Sequence, residues 1–278
     1  MKKKTVYLME EEWDHLIILD ACRYDYFRDL YSDYLEGKLE RVRSPSFHTE
    51  KWRKEVFTEE HDDVVYVSAN PYINGRAEIK GFSAQDLFHD VIDVWGWGWD
   101  DELGTVPPGK VNEGVREARR KYPDKRLIIH YLQPHAPYLS LGKLPGKDSF
   151  GEVRRDLGSS NTLGDFLTAI RDTLGKKFVK IFSWELGWKV NRFLGFPPAI
   201  PEESAFRKVG KEGMRKAYRE NLEIVLKSVE EIIEELNGKI IVTADHGELL
   251  GEGGDFVHHD ENHPLLREVP WLRIERNS

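Results

Sequence analysis

Ile240-Ile241-Val242-Thr243-Ala244-Asp245-His246-Gly247-Glu248 sets an apolar, β-branched run directly before an acid, an imidazole, a glycine and a second acid. Ile240 to Thr243 has the length and composition of a buried strand, because β-branched side chains pack well on a pleated surface. His15 to Leu19, Val64 to Val67 and Leu127 to Leu132 have the same character, each followed by polar or small residues. Helical spacings lie between them at Ala84 to Trp95, Val111 to Lys121, Thr162 to Leu174 and from about Ser204 to Leu236, where Asn237-Gly238 stops the pattern. Strands alternating with helices predict an α/β fold with a mainly parallel sheet wrapped by helices. Val269 to Ile274 reads as a further edge strand, since Pro270 has no N–H for an interior ladder.

No internal repeat, low-complexity linker or composition break divides the chain, so a single domain over 1–278 is expected. Leu139 to Ser160, rich in Gly, Lys and Ser, reads as a loop or lid after the third strand. Lys189 to Glu203 carries three prolines and reads as a cap on the long helix.

The chain has 278 residues, 40% hydrophobic and 32% charged, which suffices for a substantial core in a water-facing protein. Its single cysteine, Cys22, excludes an internal disulfide framework and any zinc site built from several thiolates. The N-terminal lysines are followed by Glu10, Glu11 and Glu12, which interrupt the apolar core an export signal needs. No uncharged apolar run approaches the roughly 18 residues of a spanning helix. A cytoplasmic location without membrane insertion is the expectation. The net charge of -8 argues against general nucleic-acid binding, which favours a basic face. Abundant Lys and Glu with two glutamines resemble the surface ion-pair composition of heat-adapted proteins.

In a parallel sheet, ligands bind beyond the carboxyl ends of the strands. There the first strand runs into Asp20, the third into His130-Tyr131-Leu132-Gln133-Pro134-His135, and the fourth into Asp245-His246-Gly247-Glu248. Two carboxylates and an imidazole on rigid strand ends suit a divalent cation. Each piece alone has a plainer reading: Asp20 as a helix N-cap, Asp-His-Gly as a turn, His135 as a surface histidine. Trp95-Gly-Trp-Gly-Trp99 could stack on a sugar, although such indoles more often pack on the domain body.

Taken in order, Leu16 to Asp25, Ser44-Pro-Ser-Phe-His-Thr49, His130 to Tyr138, Thr243-Ala-Asp245-His246-Gly247-Glu248 and Val269-Pro270-Trp271 resemble the alkaline phosphatase superfamily, in its sulfatase-like branch. The resemblance covers almost the whole chain. It implies a three-layer α/β/α sandwich and ester cleavage through a covalent intermediate. It also implies metal ligation by Asp20, Asp245 and His246, with Thr49 best placed as nucleophile and metal ligand and Ser46 as the alternative. His135 and either His258 or His259, with Arg23 as a further candidate, would hold the ester oxygens or a second metal. Cys22 is not in the Cys-x-Pro-x-Arg setting of true sulfatases, so oxidative maturation is not expected. No clear Asp-x-x-x-His element marks a second metal, so one ion of Zn, Mn, Mg or Ca is the simpler count and two the alternative.

The expected function is metal-dependent hydrolysis of a small-molecule or glycan phosphate ester, mono- or diester, through a phospho-threonine. The alternatives are phosphoryl transfer to an alcohol, a sulfatase-like hydrolase on a glycan, and a catalytically silent relative that binds metal or ligand.

Overall fold

A computed structural model describes residues 4–158, 183–259 and 263–276. Its strands are β1 (His15–Leu19), β2 (Lys38–Arg43), β3 (His61–Ser68), β4 (Phe88–Asp93), β5 (Arg126–Tyr131), β6 (Gly238–Thr243), β7 (Leu249–Glu252), β8 (Asp255–Val257) and β9 (Glu268–Arg276). Seven of them form one sheet in the order β2-β9-β6-β1-β5-β3-β4, and β7 with β8 makes a separate hairpin. β1 lies at the centre, parallel to β5 and β6, and all five of its side chains are buried. Continuous burial explains why Leu16 to Leu19 is apolar throughout rather than alternating.

Helices cover both faces, as successive residues of β5 show. Tyr131 donates its hydroxyl to Asn112 of α4 (Pro108–Lys121) at 2.5 Å, whereas the His130 ring sits 6.2 Å from that of Trp52 in α2 (Thr49–Val56). Neighbours along a strand point to opposite faces, so α2 and α4 lie on opposite sides of the sheet. The long helix Pro201–Ile233 joins α4 on its side, where Asn112 Nδ2 donates to the Ser228 carbonyl at 2.9 Å. This is the α/β/α arrangement expected.

Three readings of the sequence are corrected. Ala84 to Trp95 is not a helix: Phe88–Asp93 forms strand β4 at the sheet edge, and only Val94–Trp97 (α3) is helical. Phe88 and Ile92 are buried four residues apart, a spacing that helices and strands share. Val269 to Ile274 is not at an edge, because β9 runs antiparallel between β2 and β6. Pro270 is tolerated there because the register with β6 ends at Thr243 and Trp271, one residue short of it, and Thr243 Oγ1 donates to the Pro270 carbonyl at 2.7 Å. Strand β2 was not expected at all. Its sequence, Lys-Leu-Glu-Arg-Val-Arg, is that of a charged edge, which resists pairing with other chains.

Within Leu139 to Ser160, residues Ser149–Gly158 form helix α5 after a short turn at Leu139–Leu141, and the last two residues of that stretch lie outside the described residues. Thr162 to Leu174 also lies outside them. In the proline-rich stretch, Pro201 opens the long helix at a position where no N–H is needed. Trp95 is buried beneath the Arg76 guanidinium, Trp99 lies against Arg154, and Trp97 is exposed, so the three indoles do not form one platform.

Candidate active site

Thr49 is the first residue of α2. His48 before it caps the helix, its Nδ1 accepting the Lys51 N–H at 3.2 Å. The Thr49 hydroxyl is thereby spared from capping. It donates to Asp245 Oδ2 at 2.6 Å and lies 3.4 Å from His246 Nε2. Ser46, the alternative nucleophile, is buried with no hydrogen-bond partner for its hydroxyl and does not line the cleft.

Asp20 follows β1, and Asp245 and His246 follow β6. Adjacent parallel strands therefore deliver all three to one point. His246 Nε2 lies 3.7 Å from Asp20 Oδ1 and 3.4 Å from Asp245 Oδ2. One ligand atom from each residue falls within 4.8 Å of the others, and all three residues are buried. The remaining oxygens are occupied: Asp20 Oδ2 accepts Asn70 Nδ2 at 2.9 Å, and Asp245 Oδ1 accepts the N–H groups of Ala21 at 3.1 Å and His246 at 2.9 Å. His246 Nδ1 is 2.8 Å from the Gly247 carbonyl, which keeps the proton at Nδ1 and turns a bare Nε2 toward the acids. Burial, helped by His258, pushes the His246 pKa down to about 3, so this imidazole is neutral.

These residues fit a divalent cation. Asp20 Oδ1 is buried without a hydrogen-bond partner, and the groups bonded to the two carboxylates are an amide, backbone N–H groups and a hydroxyl, all neutral. Buried carboxylates are costly unless paired or coordinated.

A second cluster lies alongside, formed by His135, Glu248 and His258. Glu248 Oε2 is 4.0 Å from His135 Nε2 and Glu248 Oε1 is 3.8 Å from His258 Nδ1, and these last two atoms are buried with no hydrogen-bond partner. Burial works against charge on His135, but the carboxylates of Asp20, Glu248 and Glu202 outweigh it and raise its pKa to about 9. The His258 ring stands 4.8 Å from that of His246 and 5.7 Å from that of His135. A cleft of about 240 Å³ is lined by residues of both clusters, Asp20, His246, His135 and His258, together with Thr49 and Phe150.

The structure separates the two C-terminal histidines. His258 lines the cleft, whereas His259 Nδ1 is 3.1 Å from the Phe256 carbonyl and its Nε2 is 3.7 Å from Asp255. Arg23 is not brought to the cleft: its guanidinium is tied to Asp25 at 2.6 Å and Glu252 at 2.8 Å. Glu248, His48 and Asn70 were not assigned roles from the sequence. Asn70 follows β3 on the same side of the sheet, so the rule applied to the other strand ends would have found it.

No family model and no curated protein matches the chain in sequence. Solved structures do match in fold. The soluble domain of lipooligosaccharide phosphoethanolamine transferase A from Neisseria meningitidis is 14% identical, with 93% of this chain and 75% of that one covered at a TM-score of 0.51. The C-terminal periplasmic domain of EcEptC from Escherichia coli is 11% identical, with 94% and 72% covered at 0.53. A protein described as a sulfatase, from Bacteroides thetaiotaomicron, is 10% identical, with 99% and 65% covered at 0.53. The chain spans 47% of the integral membrane form of the Neisseria transferase. The chain therefore shares its fold with these phosphoethanolamine transferase domains and with the protein described as a sulfatase.

Proposed function

We propose that this protein is a metal-dependent enzyme of phosphate-ester cleavage that works through a phospho-threonine at Thr49. The observation that carries the reading is the Thr49 hydroxyl, released from capping by His48, bonded to Asp245 at 2.6 Å and facing the cleft beside His246. Asp20, Asp245, His246 and Thr49 would hold a divalent cation, whose charge makes the hydroxyl more acidic and draws the ester oxygens.

The remaining steps fall to the chain's own groups. As Thr49 Oγ1 bonds to phosphorus, the bond to the leaving oxygen breaks, and the hydroxyl proton, which a bound cation would make more acidic, passes by way of solvent to that oxygen. His135, buried and with a raised pKa, faces the oxygens on which negative charge builds, where a fixed positive group stabilises phosphoryl transfer most. Thr49 also opens α2, whose first-turn N–H groups favour an anion. Water, or the hydroxyl of an acceptor, then takes the phosphoryl group from Thr49. Likeness in fold to a phosphoethanolamine transferase supports the acceptor reading as the alternative, and the two differ only in what resolves the intermediate.

The test is cleavage of p-nitrophenyl phosphate, its bis-ester and the sulfate, after chelation and after return of Zn, Mn, Mg or Ca. Metal-restored cleavage of a phosphate ester is expected. Thr49→Ala should lower it by about a thousandfold or more while metal still binds by calorimetry. Persistent turnover in Thr49→Ala would remove Thr49 as nucleophile. Cleavage of the sulfate alone would move the reaction to sulfuryl transfer, and a metal-loaded protein inert to every ester and acceptor would be a binding relative.

A further inference from the structure

The helix Trp184–Phe193 is apolar on two faces. Trp188 turns inward, 3% exposed, its ring 4.7 Å from Phe256 and 5.5 Å from Phe206. Leu186 and Val190 turn outward and are 46% and 41% exposed. A surface helix ordinarily gives its outer face to polar residues. The anomaly sharpens at its C-terminal end: Phe193 to Pro201 is a run of nine residues with no charged or polar side chain, in a chain that is 32% charged. Within it Phe193 is 89% exposed, Leu194 58% and Phe196 56%.

This turn is held in place rather than frayed. Phe196 N donates to the Asn191 carbonyl at 3.0 Å, and Gly195 N to that of Arg192 at 3.1 Å, with Gly195 at φ +77° as such a helix ending requires. Arg207 Nη1 donates to the Phe196 carbonyl at 2.7 Å, Ala199 N to Glu203 Oε2 at 2.9 Å, and Lys147 N to the Ala199 carbonyl at 2.8 Å. The hydrogen bonds hold an apolar tip out into solvent.

The surroundings carry the opposite charge to the rest of the molecule. Between Ser183 and Lys211 stand Lys189, Arg192, Arg207, Lys208 and Lys211 against Glu185, Glu202 and Glu203, with Lys189 paired to Glu185 and Arg207 to Glu203, so the segment keeps an excess of positive charge whereas the whole chain has net charge -8. An apolar tip collared by basic residues complements an anionic bilayer, with rings in the acyl boundary and cations at the headgroups. A protein partner would need about 800 Å² per side, more than one projecting turn offers.

We propose that the Phe193–Phe196 turn is a membrane-docking tip, which inserts Phe193, Leu194 and Phe196 into the interface of an anionic lipid surface while Arg192 and Lys189 engage the headgroups. Docking is interfacial, not spanning, and no described helix is long and apolar enough to cross a membrane. The same helix starts beside His259, whose ring is 5.7 Å from that of Trp184, so about 15 Å of helix separates the tip from the rim of the cleft. The tip's role stands independently of the reaction proposed above.

The test is co-sedimentation of the purified chain with vesicles of phosphatidylcholine, with and without phosphatidylglycerol, at low and high salt. Binding to the anionic vesicles is expected, weakened by salt. Phe193→Ser with Phe196→Ser should reduce it by about tenfold or more, since binding scales with inserted apolar area. Lys189→Gln with Arg192→Gln should reduce it by about fivefold per charge. Thermal melting and ester cleavage of these variants should match wild type, because the altered side chains are exposed and outside the cleft. Wild-type protein that sediments no better with anionic vesicles than without them overturns the proposal, as does full binding by the double Ser variant. A dimer in light scattering that this variant converts to a monomer, without vesicle binding by either, assigns the tip to a second copy and also overturns it.

Discussion

Asn70 orders the Asp20, Asp245 and His246 cluster without belonging to it. Its Nδ2 holds Asp20 Oδ2 at 2.9 Å, while its own Oδ1 accepts the Tyr72 N–H at 3.0 Å, so the amide cannot turn away and Asp20 Oδ1 stays aimed at His246. Groups that orient a ligand are worth about 10- to 100-fold in metal affinity. Asn70→Ala is therefore expected to weaken metal binding by about that factor, read by calorimetry on the chelated protein, and unchanged affinity would remove Asn70 from the site. Asp20, Asp245 and His246 were legible in the sequence because each follows an apolar run, and a carboxylate there is conspicuous. Asn70 was not, because Asn before Pro after a strand is also what a plain turn looks like. Glu248 was quoted as part of a motif without a role, since its partners His135 and His258 come from a different strand end and the β8 hairpin.

At the level of elements, the turn Asp245-His246-Gly247-Glu248 is where both clusters depend on one backbone. Gly247 N donates to the Leu266 carbonyl at 2.9 Å, and a Cβ on Gly247 would land on the Leu265 carbonyl of the short helix Pro264–Arg267. Glycine is needed here for close approach. Gly247→Ala should force the turn off that helix, costing about 1–3 kcal/mol in urea denaturation and metal binding with it. Gly210→Ala is the control: Gly210 has φ +68° inside the long helix with nothing within 4 Å of its Cβ position, so it should cost about 1–2 kcal/mol and leave metal binding intact. If both variants bind metal alike, the Gly247 contact does not govern the site. The fold was readable wherever one period dominated: β1 matched its apolar run residue for residue. It was misread at β4, where a spacing of four suits two structures, and at β2, whose edge position allows charges that hide the strand.

For the whole molecule, acid stability is set partly at the end of the sheet far from the cleft. His15 opens β1 and is 7% exposed; burial first, then Arg119, pushes its pKa down to about 4 against an ordinary 6.5. The folded state therefore binds this proton less readily than the unfolded chain. Stability from neutral His15 is complete above about pH 6.5 and falls as pH drops toward about 4, by about 3 kcal/mol in total. His15→Leu should flatten this part of the profile, measured by urea denaturation at about pH 7 and about pH 5. Equal pH dependence in the two proteins would place the titration elsewhere. His246, pushed down to about 3, acts in the same direction, which is why the difference between the proteins is the informative quantity.

Strand β9 lies between β2 and β6, so the ladder partner of residues 38–43 is residues 268–276, with one further bridge from Arg43 back to Thr5. Ser44 and Pro45, on the way to Thr49, are also bonded from the late part of the chain, through the Asp245 carbonyl and the Arg267 guanidinium. During synthesis, Thr49 therefore waits 196 residues for Asp245, the acceptor of its hydroxyl, although Arg53 of the same helix is held earlier by the Tyr72 and Ile79 carbonyls. A chain still on the ribosome displays β2 without its ladder partner and has not yet brought Asp245 and His246 to Asp20 and Thr49. The charged sequence of β2 suits that wait, and the cleft is complete only once the late segments have been added.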